Sequence, residues 1–261
     1  MATYNKRGYK APKPKDEKEE VDAQQEVFEG HSTTAEVFDT LDEGANRAEE
    51  WVERNQKIIF GVIGAIALVI VGYMLYNRFV SEPAEDEAAS DMFQAQKYYE
   101  EAVTSTTASD SLFTLALNGG EGKYGLLAII DKYPGTDAAN IANYCAGTAY
   151  LNLGKYKEAV QYLDEFKTEE PDLKASAKGA IGDAFAELGT EENLTNALKY
   201  YDEAVKAGDD FSKPRFLMKA GLIAMQLNKK EDALNYFQQI KDNYDGSAEA
   251  VGIDAYIARL K

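Results

Sequence analysis

The residue types that most often do chemistry are few in this sequence and far apart. It contains one cysteine, Cys145, and one histidine, His31, and a nucleophilic thiol would need a base such as that histidine beside it. His31 lies in a polar amino-terminal tail, whereas Cys145 lies in a periodic apolar stretch, where a buried and unreactive thiol is the usual case. One residue of each type cannot form an intrachain disulfide or a cysteine–histidine zinc site. We therefore interpret Cys145 as a packing residue.

Carboxylates are abundant, but they show no catalytic arrangement. Asp164, Glu165, Glu169 and Glu170 are close in sequence. On helices this density is usually a solvated face, and neither a glycine-rich phosphate loop nor a nucleophile–base pair accompanies it. The 28 basic and 45 acidic residues give a net charge of −17, which repels phosphate backbones and anionic lipid headgroups. We predict a non-enzymatic protein with no cofactor, no metal, no nucleic-acid partner and no small-molecule substrate.

One apolar segment is long enough to cross a membrane. Residues 58–76 (IIFGVIGAIALVIVGYMLY) contain no charged side chain. A helix of this length spans about 28 Å, close to the hydrocarbon thickness of a bilayer. A globular core helix would keep a polar stripe, and a secretory signal peptide would not follow 57 preceding residues. The sequence therefore predicts a single transmembrane helix over residues 58–80 that stays in place as an anchor.

Basic residues on either side of this span predict its orientation. Arg47, Arg54 and Lys57 lie shortly before it, whereas the twenty-one residues after Tyr76 contain only Arg78 and Lys97 as basic residues. Cytoplasmic flanks carry the excess of lysine and arginine. We therefore expect the amino terminus in the cytoplasm and residues 81–261 outside it.

Small residues follow one face of the span. Gly61, Ala65, Leu68 and Gly72 are spaced by four, three and four positions. Small side chains let another helix approach closely, so this face is a candidate for packing within the membrane. Glycine is also common in membrane helices without such a role, and both interpretations stay open.

The flanks of the span differ in character. Residues 1–31 hold too little apolar material to offset the entropy of ordering, so we predict a disordered cytoplasmic tail. Residues 32–57 begin with a capping box, Thr33 and Glu36, and predict an acidic amphipathic helix that either binds a cytoplasmic protein or is simply solvated. Residues 81–87 are predicted to be an acidic linker.

Beyond the linker, the sequence is helical by period and repeats itself. Gly147 recurs as Gly182 and Gly221, at steps of 35 and 39 residues. This register resembles the tetratricopeptide repeat family, whose unit is about 34 residues of helix, turn and helix, and three units meet the minimum for a stable stack. The predicted fold is therefore all-α: one transmembrane helix followed by an α-solenoid of tetratricopeptide helix pairs over residues 88–261.

The stretch NYCAGTAYLNLGKYKEAV is the packing template of this repeat. Gly147 and Ala159 are small because the two helices of one unit cross there. Gly154 supplies the turn between the helices, and the third unit has Asn228 instead, the next most tolerant residue for positive φ. Pro171 is expected to help end the second helix.

Two further pieces complete the predicted domain. A degenerate unit precedes the repeats, with one helix near residues 94–103, a loop around NGGEG, and a closing helix within KYGLLAIIDKYPGTDAAN. At the other end, EAVGIDAYIARL has room for a single capping helix.

The first helices of such units line a concave groove, and the register assigns nine residues to it. They combine tyrosine and methionine side chains, which adapt to varied apolar partners, with carboxylates that favour basic or amide groups. These properties suit an extended or helical peptide, although some positions could instead pack against the next unit. The predicted groove residues are Tyr144, Thr148, Leu151, Asn152, Asp183, Glu187, Met218, Leu222 and Met225.

The whole layout is similar to the YfgM-like family, the ancillary subunits of the Sec translocon. The resemblance rests on a cytoplasmic tail, the anchor WVERNQKIIFGVIGAIALVIVGYMLYNRF, the segment QAQKYYEEAV beyond it, and an extracytoplasmic repeat domain. It implies a single-pass protein of the bacterial inner membrane with a periplasmic chaperone-like domain. The implied partners are the Sec translocon and exported polypeptides or periplasmic chaperones. The alternative is a scaffold that holds one folded partner in an envelope assembly.

Overall fold

The computed structural model describes the backbone of residues 33–261 and the side chains from Arg47 onward, apart from Ala48. The disordered tail predicted for residues 1–31 and the side chains of the predicted capping box lie outside the described residues. The regular elements of the described backbone are all helical, which confirms the all-α fold class. The helices are α1 (Thr33–Tyr76), α2 (Glu82–Thr104), α3 (Ser109–Asn118), α4 (Leu126–Lys132), α5 (Asp137–Asn152), α6 (Tyr156–Glu165), α7 (Pro171–Leu188), α8 (Glu191–Ala207), α9 (Lys213–Gln226), α10 (Lys230–Asn243) and α11 (Ile253–Leu260).

The chain divides into two units, Met1–Ala67 and Leu68–Lys261, and the boundary falls within α1. α1 is one helix of 44 residues, so the predicted juxtamembrane helix and most of the predicted transmembrane helix are continuous. The apolar side chains of residues 60–76 are exposed, Leu68 by 75%. Within the part of the chain that the structure describes, one helix is long and apolar enough to cross a membrane, judged by length and composition alone.

The segment predicted as an acidic linker, residues 81–87, is helical. A π-helical turn, Asn77–Ser81, follows α1, and α2 begins at Glu82. The helix runs on from α1 through this turn into α2, and Pro83, which has no N–H to donate, lies directly after the π-helical turn. The acidic residues that suggested a linker therefore lie in a helix that continues from α1 into α2.

Two carboxylates of α2, Glu85 within this segment and Asp91 just after it, form hydrogen bonds with residues at and before the start of α5. The Glu85 carboxylate accepts hydrogen bonds from the backbone N–H groups of Asp137 (2.8 Å) and Ala138 (2.9 Å) at the start of α5. The Tyr133 hydroxyl donates to Asp91 at 2.5 Å, and this bond is the largest cause that holds the pKa of Asp91 below its ordinary value. These carboxylates, which the sequence suggests are solvated, therefore hold α2 against the rest of the domain.

Successive helices then pack as three pairs, α5 with α6, α7 with α8, and α9 with α10. In the first pair, a Cβ added to Gly147 would lie 2.5 Å from Cγ of Leu163 and 3.1 Å from the carbonyl oxygen of Ala159. The same contact recurs in the other pairs, at 2.7 Å for Gly182 against the Tyr201 ring and 2.4 Å for Gly221 against the Phe237 ring. The repeating glycine therefore marks the closest approach of the two helices in each pair, as the spacing predicts.

The turns between paired helices also follow the prediction. Gly154 and Gly189 have φ values of 70° and 71°, and Asn228 has a φ of 58° at the equivalent turn of the third pair. Pro171 has a different role from the one predicted. α6 ends at Glu165, and Pro171 is the first residue of α7, where a proline fits without loss of a hydrogen bond.

The ends of the domain match the prediction only in part. The helix predicted near residues 94–103 lies within α2, but α3 was not predicted and buries Phe113 and Leu117 in the core of the first helices. The predicted capping helix is α11, which buries Ile253 and Ile257 against the last pair. A 3-10 turn, Ala248–Ala250, precedes it.

Candidate peptide-binding surface

The nine predicted groove residues lie on α5, α7 and α9, the first helix of each pair. They differ in accessibility, and their contact with a ligand stays a prediction. The exposed ones are Asn152, Glu187 and Leu222, and the half-buried ones are Tyr144, Thr148, Leu151, Asp183, Met218 and Met225.

On α5, Thr148 has partners within the domain. Its hydroxyl forms a hydrogen bond of 2.9 Å with the hydroxyl of Tyr99 on α2 and also donates to the carbonyl oxygen of Tyr144. Burial raises the pKa of Tyr99 to about 12, so its hydroxyl stays protonated at neutral pH. Asn152, one turn further along, is exposed, and its side-chain amide N–H donates to the Thr148 carbonyl at 2.8 Å. Thr148 therefore holds α5 to α2, and Asn152 is the more accessible polar group.

Tyr144 presents an aromatic surface beside this contact. Its ring packs against Phe166, with ring centroids 5.1 Å apart. Burial raises the pKa of Tyr144, and the guanidinium of Arg215 acts in the opposite direction. Arg215 lies on α9, so its charge acts on Tyr144 from another helix pair.

On α7, Asp183 is engaged in an inter-helix network. It accepts a hydrogen bond of 2.7 Å from the hydroxyl of Tyr201 on α8, and the amine of Lys219 on α9 lies 2.7 Å from both carboxylate oxygens. Burial and the Asp183 charge raise the pKa of Tyr201 above its ordinary value. Lys219 compensates the Asp183 charge, so the predicted carboxylate contributes chiefly to holding α7, α8 and α9 together.

Glu187 is the more accessible carboxylate of the same helix. It lies one turn beyond Asp183 and accepts one hydrogen bond, from the Tyr156 hydroxyl at 3.4 Å. No ion pair within 4.0 Å engages it among the described residues. Glu187 is thus the acidic group of the surface that can meet a basic or amide group of a ligand.

On α9, the predicted residues form an apolar stripe. Met218 and Met225 pack partly against the core, and Leu222 between them is 41% exposed. Thioether side chains adapt to different apolar shapes, so this stripe suits varied aliphatic or aromatic side chains better than one rigid ligand.

Two further residues on the same helices were not predicted. Ile141 precedes Tyr144 by three positions and is 47% exposed, and Arg215 precedes Met218 by three positions and is exposed. The guanidinium of Arg215 lies 4.8 Å from the centroid of the Phe216 ring. Extending the helical spacing by one turn toward the amino terminus would have found both residues.

The reactive groups of the domain are arranged for packing. Cys145 is buried, and burial raises the pKa of its thiol to about 12, so the thiolate is negligible at neutral pH. Among the described residues, no three histidine, cysteine, aspartate or glutamate side chains are grouped to hold a metal ion.

The face predicted for packing within the membrane has open space around it. A Cβ added to Gly61 or Gly72 would meet no atom within 4 Å, and Ala65 and Leu68 are exposed. These four residues therefore stay a prediction for contact with another helix.

The helix pairs with their repeated glycine contact define the class of this domain, an α-solenoid of helical hairpins. Residues 144–210 and 187–248 match the model of the tetratricopeptide repeat family, and all nine predicted groove residues lie within the matched region. No curated protein is similar enough in sequence to count as a match. Because tetratricopeptide repeats are a protein-interaction fold, the coarse function of this region is binding to other proteins.

Proposed function

We propose that residues 58–80 hold this protein in the bacterial inner membrane, and that its repeat domain binds polypeptides on the extracytoplasmic side, close to the Sec translocon. The observation that carries the proposal is that one chain joins tetratricopeptide repeats to a helix with the length and composition of a membrane span. The proposed groove consists of the residues predicted on α5, α7 and α9. No cofactor and no chemical step is involved.

A membrane anchor would let a surface that binds peptides weakly still capture them. Tethering next to a channel makes the encounter with an emerging chain effectively intramolecular, so modest contacts suffice for capture. An adaptable stripe around Leu222 with Glu187 and Asn152 nearby provides such contacts without demanding one sequence. The small-residue face at Gly61 and Gly72, or the repeat domain itself, would supply the contact with the translocon.

The resemblance to the YfgM-like family adds the proposed partners. Its layout of tail, anchor and extracytoplasmic repeats is the one predicted from this sequence, and its members act with the Sec translocon and periplasmic chaperones. Exported polypeptides are the proposed clients.

The proposed topology predicts protease sensitivity. Protease added to intact spheroplasts should digest the repeat domain and leave a fragment that ends near Ser81, because the basic residues Arg47, Arg54 and Lys57 favour a cytoplasmic amino terminus. The fragment is detected with an amino-terminal tag, and a cytoplasmic marker protein serves as the control for intact membranes. A repeat domain that is protected until the membrane is opened would reverse the orientation.

The groove is tested by site-specific photocrosslinking in cells. A photoreactive residue at Leu222 or Asn152, both exposed on first helices, should form adducts with translocating chains. Asn235, exposed on the second helix α10, is the matched control and should form few adducts. Equal adducts from Asn235 would show that the groove is not the binding face. Adducts to one folded envelope protein, with none to translocon subunits from probes along the anchor, would favour the scaffold instead.

A further inference from the structure

An aromatic side chain is held out in solvent on the turn that precedes α9. Phe211 is 91% exposed. Three hydrogen bonds hold the turn that carries it. The Asp209 carboxylate accepts hydrogen bonds from the backbone N–H groups of Phe211 (3.1 Å) and Ser212 (2.8 Å). The Ser212 hydroxyl accepts a hydrogen bond from the Asp209 N–H at 3.0 Å. Gly208 packs behind it, since an added Cβ would lie 2.4 Å from the Ser212 hydroxyl oxygen. The ring is therefore presented by a fixed backbone.

A cavity of about 470 Å³ lies beside this ring. Its far wall is the turn after α10, where the Ser247 N–H donates to the Tyr244 carbonyl at 2.9 Å. We call this cavity the notch and define it by Asp210, Phe211, Arg215, Tyr244, Asp245 and Glu249. It adjoins the candidate groove, because Arg215 lines it and lies on α9 three positions before the predicted groove residue Met218.

The charges around the notch favour a positively charged ligand. Asp245 and Glu249 have no ion pair within 4.0 Å among the described residues, and Asp210, 89% exposed, pairs only with Lys213 at 3.6 Å. The one cation in the notch lining, Arg215, is stacked over the ring of its neighbour Phe216. A lysine or arginine side chain of a partner would meet both an aromatic face and carboxylates, and each attracts a cation. An acidic partner would be repelled, and a purely apolar one would bury carboxylates without compensation.

We propose that the notch binds a basic segment of a partner polypeptide, with Phe211 as the apolar anchor and Asp245 and Glu249 as the charge partners. The inference rests on the proposed function in one respect, namely that the ligand is a polypeptide. It adds a preference for basic segments at one end of the groove.

The test compares two labelled peptides on the full chain in detergent micelles. One peptide alternates leucine with lysine, and its counterpart has glutamate in place of lysine. The basic peptide should bind about tenfold more tightly or better at low salt, and the preference should shrink as salt is added. Phe211→Ala should weaken binding of the basic peptide about tenfold, because a central aromatic anchor is the kind of residue on which binding depends most.

The double variant Asp245→Asn with Glu249→Gln should remove most of the preference between the two peptides. Val251→Ala is the matched control, since Val251 is 83% exposed and lies outside the notch. Equal binding of both peptides, or no binding of either, would contradict the proposal that the notch binds basic segments. The proposed function would then be decided by the crosslinking experiment alone. If Leu222→Ala abolishes binding of the basic peptide and Phe211→Ala does not, the peptide binds in the groove. That result would contradict binding at the notch and support binding at the groove.

Discussion

Phe237→Ala should lower the free energy of unfolding of the repeat domain by about 3 to 5 kcal/mol, the usual cost of emptying a fully buried aromatic position. Phe237 on α10 has no exposed surface. Its ring lies against Gly221 of α9 and packs with Tyr256 of α11, with ring centroids 5.2 Å apart. Three helices therefore lose contacts at once, and the glycine on one side offers no side chain that could fill the space.

The measurement is urea unfolding of the full chain in detergent, followed by the helical circular dichroism signal. Phe211→Ala is the matched control, because the same substitution at a 91% exposed ring should change the free energy of unfolding by less than about 0.5 kcal/mol. Similar losses from the two variants would mean that Phe237 is not the centre of the last helix pair.

Much of the repeat could be predicted because it depends on contacts that recur at a fixed spacing. Each helix crossing requires a glycine, and each turn requires a residue that tolerates positive φ. Both requirements can be recognised in the sequence as residue types that recur at a fixed spacing. The clearest case is Asn228, where the sequence departs from glycine and the structure still has a φ of 58°.

The first helices of the domain were harder to predict for a physical reason. The acidic residues of 81–87 suggest a solvated linker when only the sequence is known. In the structure, Glu85 accepts hydrogen bonds from the backbone N–H groups of Asp137 and Ala138, more than fifty positions away. α3 is one short helix without a glycine template, so no repeat identifies it.

The candidate surface shows the same limit. Helical spacing gives the face on which a residue lies, and it correctly puts the predicted residues on the first helices. It does not say whether a side chain is already engaged, as Asp183 is by Lys219, 36 positions later. The predicted set also stopped one turn short of Arg215, which becomes notable because it lines a cavity together with Phe211.

Gly147→Ala should also destabilise the domain, although alanine is the better helix former. The added Cβ would lie 2.5 Å from Cγ of Leu163 and 2.9 Å from the Leu163 backbone nitrogen. A side chain can rotate away, but a backbone nitrogen moves only if α5 and α6 separate. Overpacking of this kind costs on the order of 1 to 3 kcal/mol, which outweighs the helix-propensity gain of about 1 kcal/mol.

Gly246→Ala is the matched control, because a Cβ there meets nothing within 4 Å and its backbone needs no positive φ. Urea unfolding of both variants should show a clear loss for Gly147→Ala and little change for Gly246→Ala. A Gly147→Ala protein as stable as the parent would mean that α5 and α6 lie farther apart than their glycine contact requires. Since the same glycine sets the register from which every groove position was assigned, that result would also remove the basis for placing Tyr144 and Leu222 on one surface.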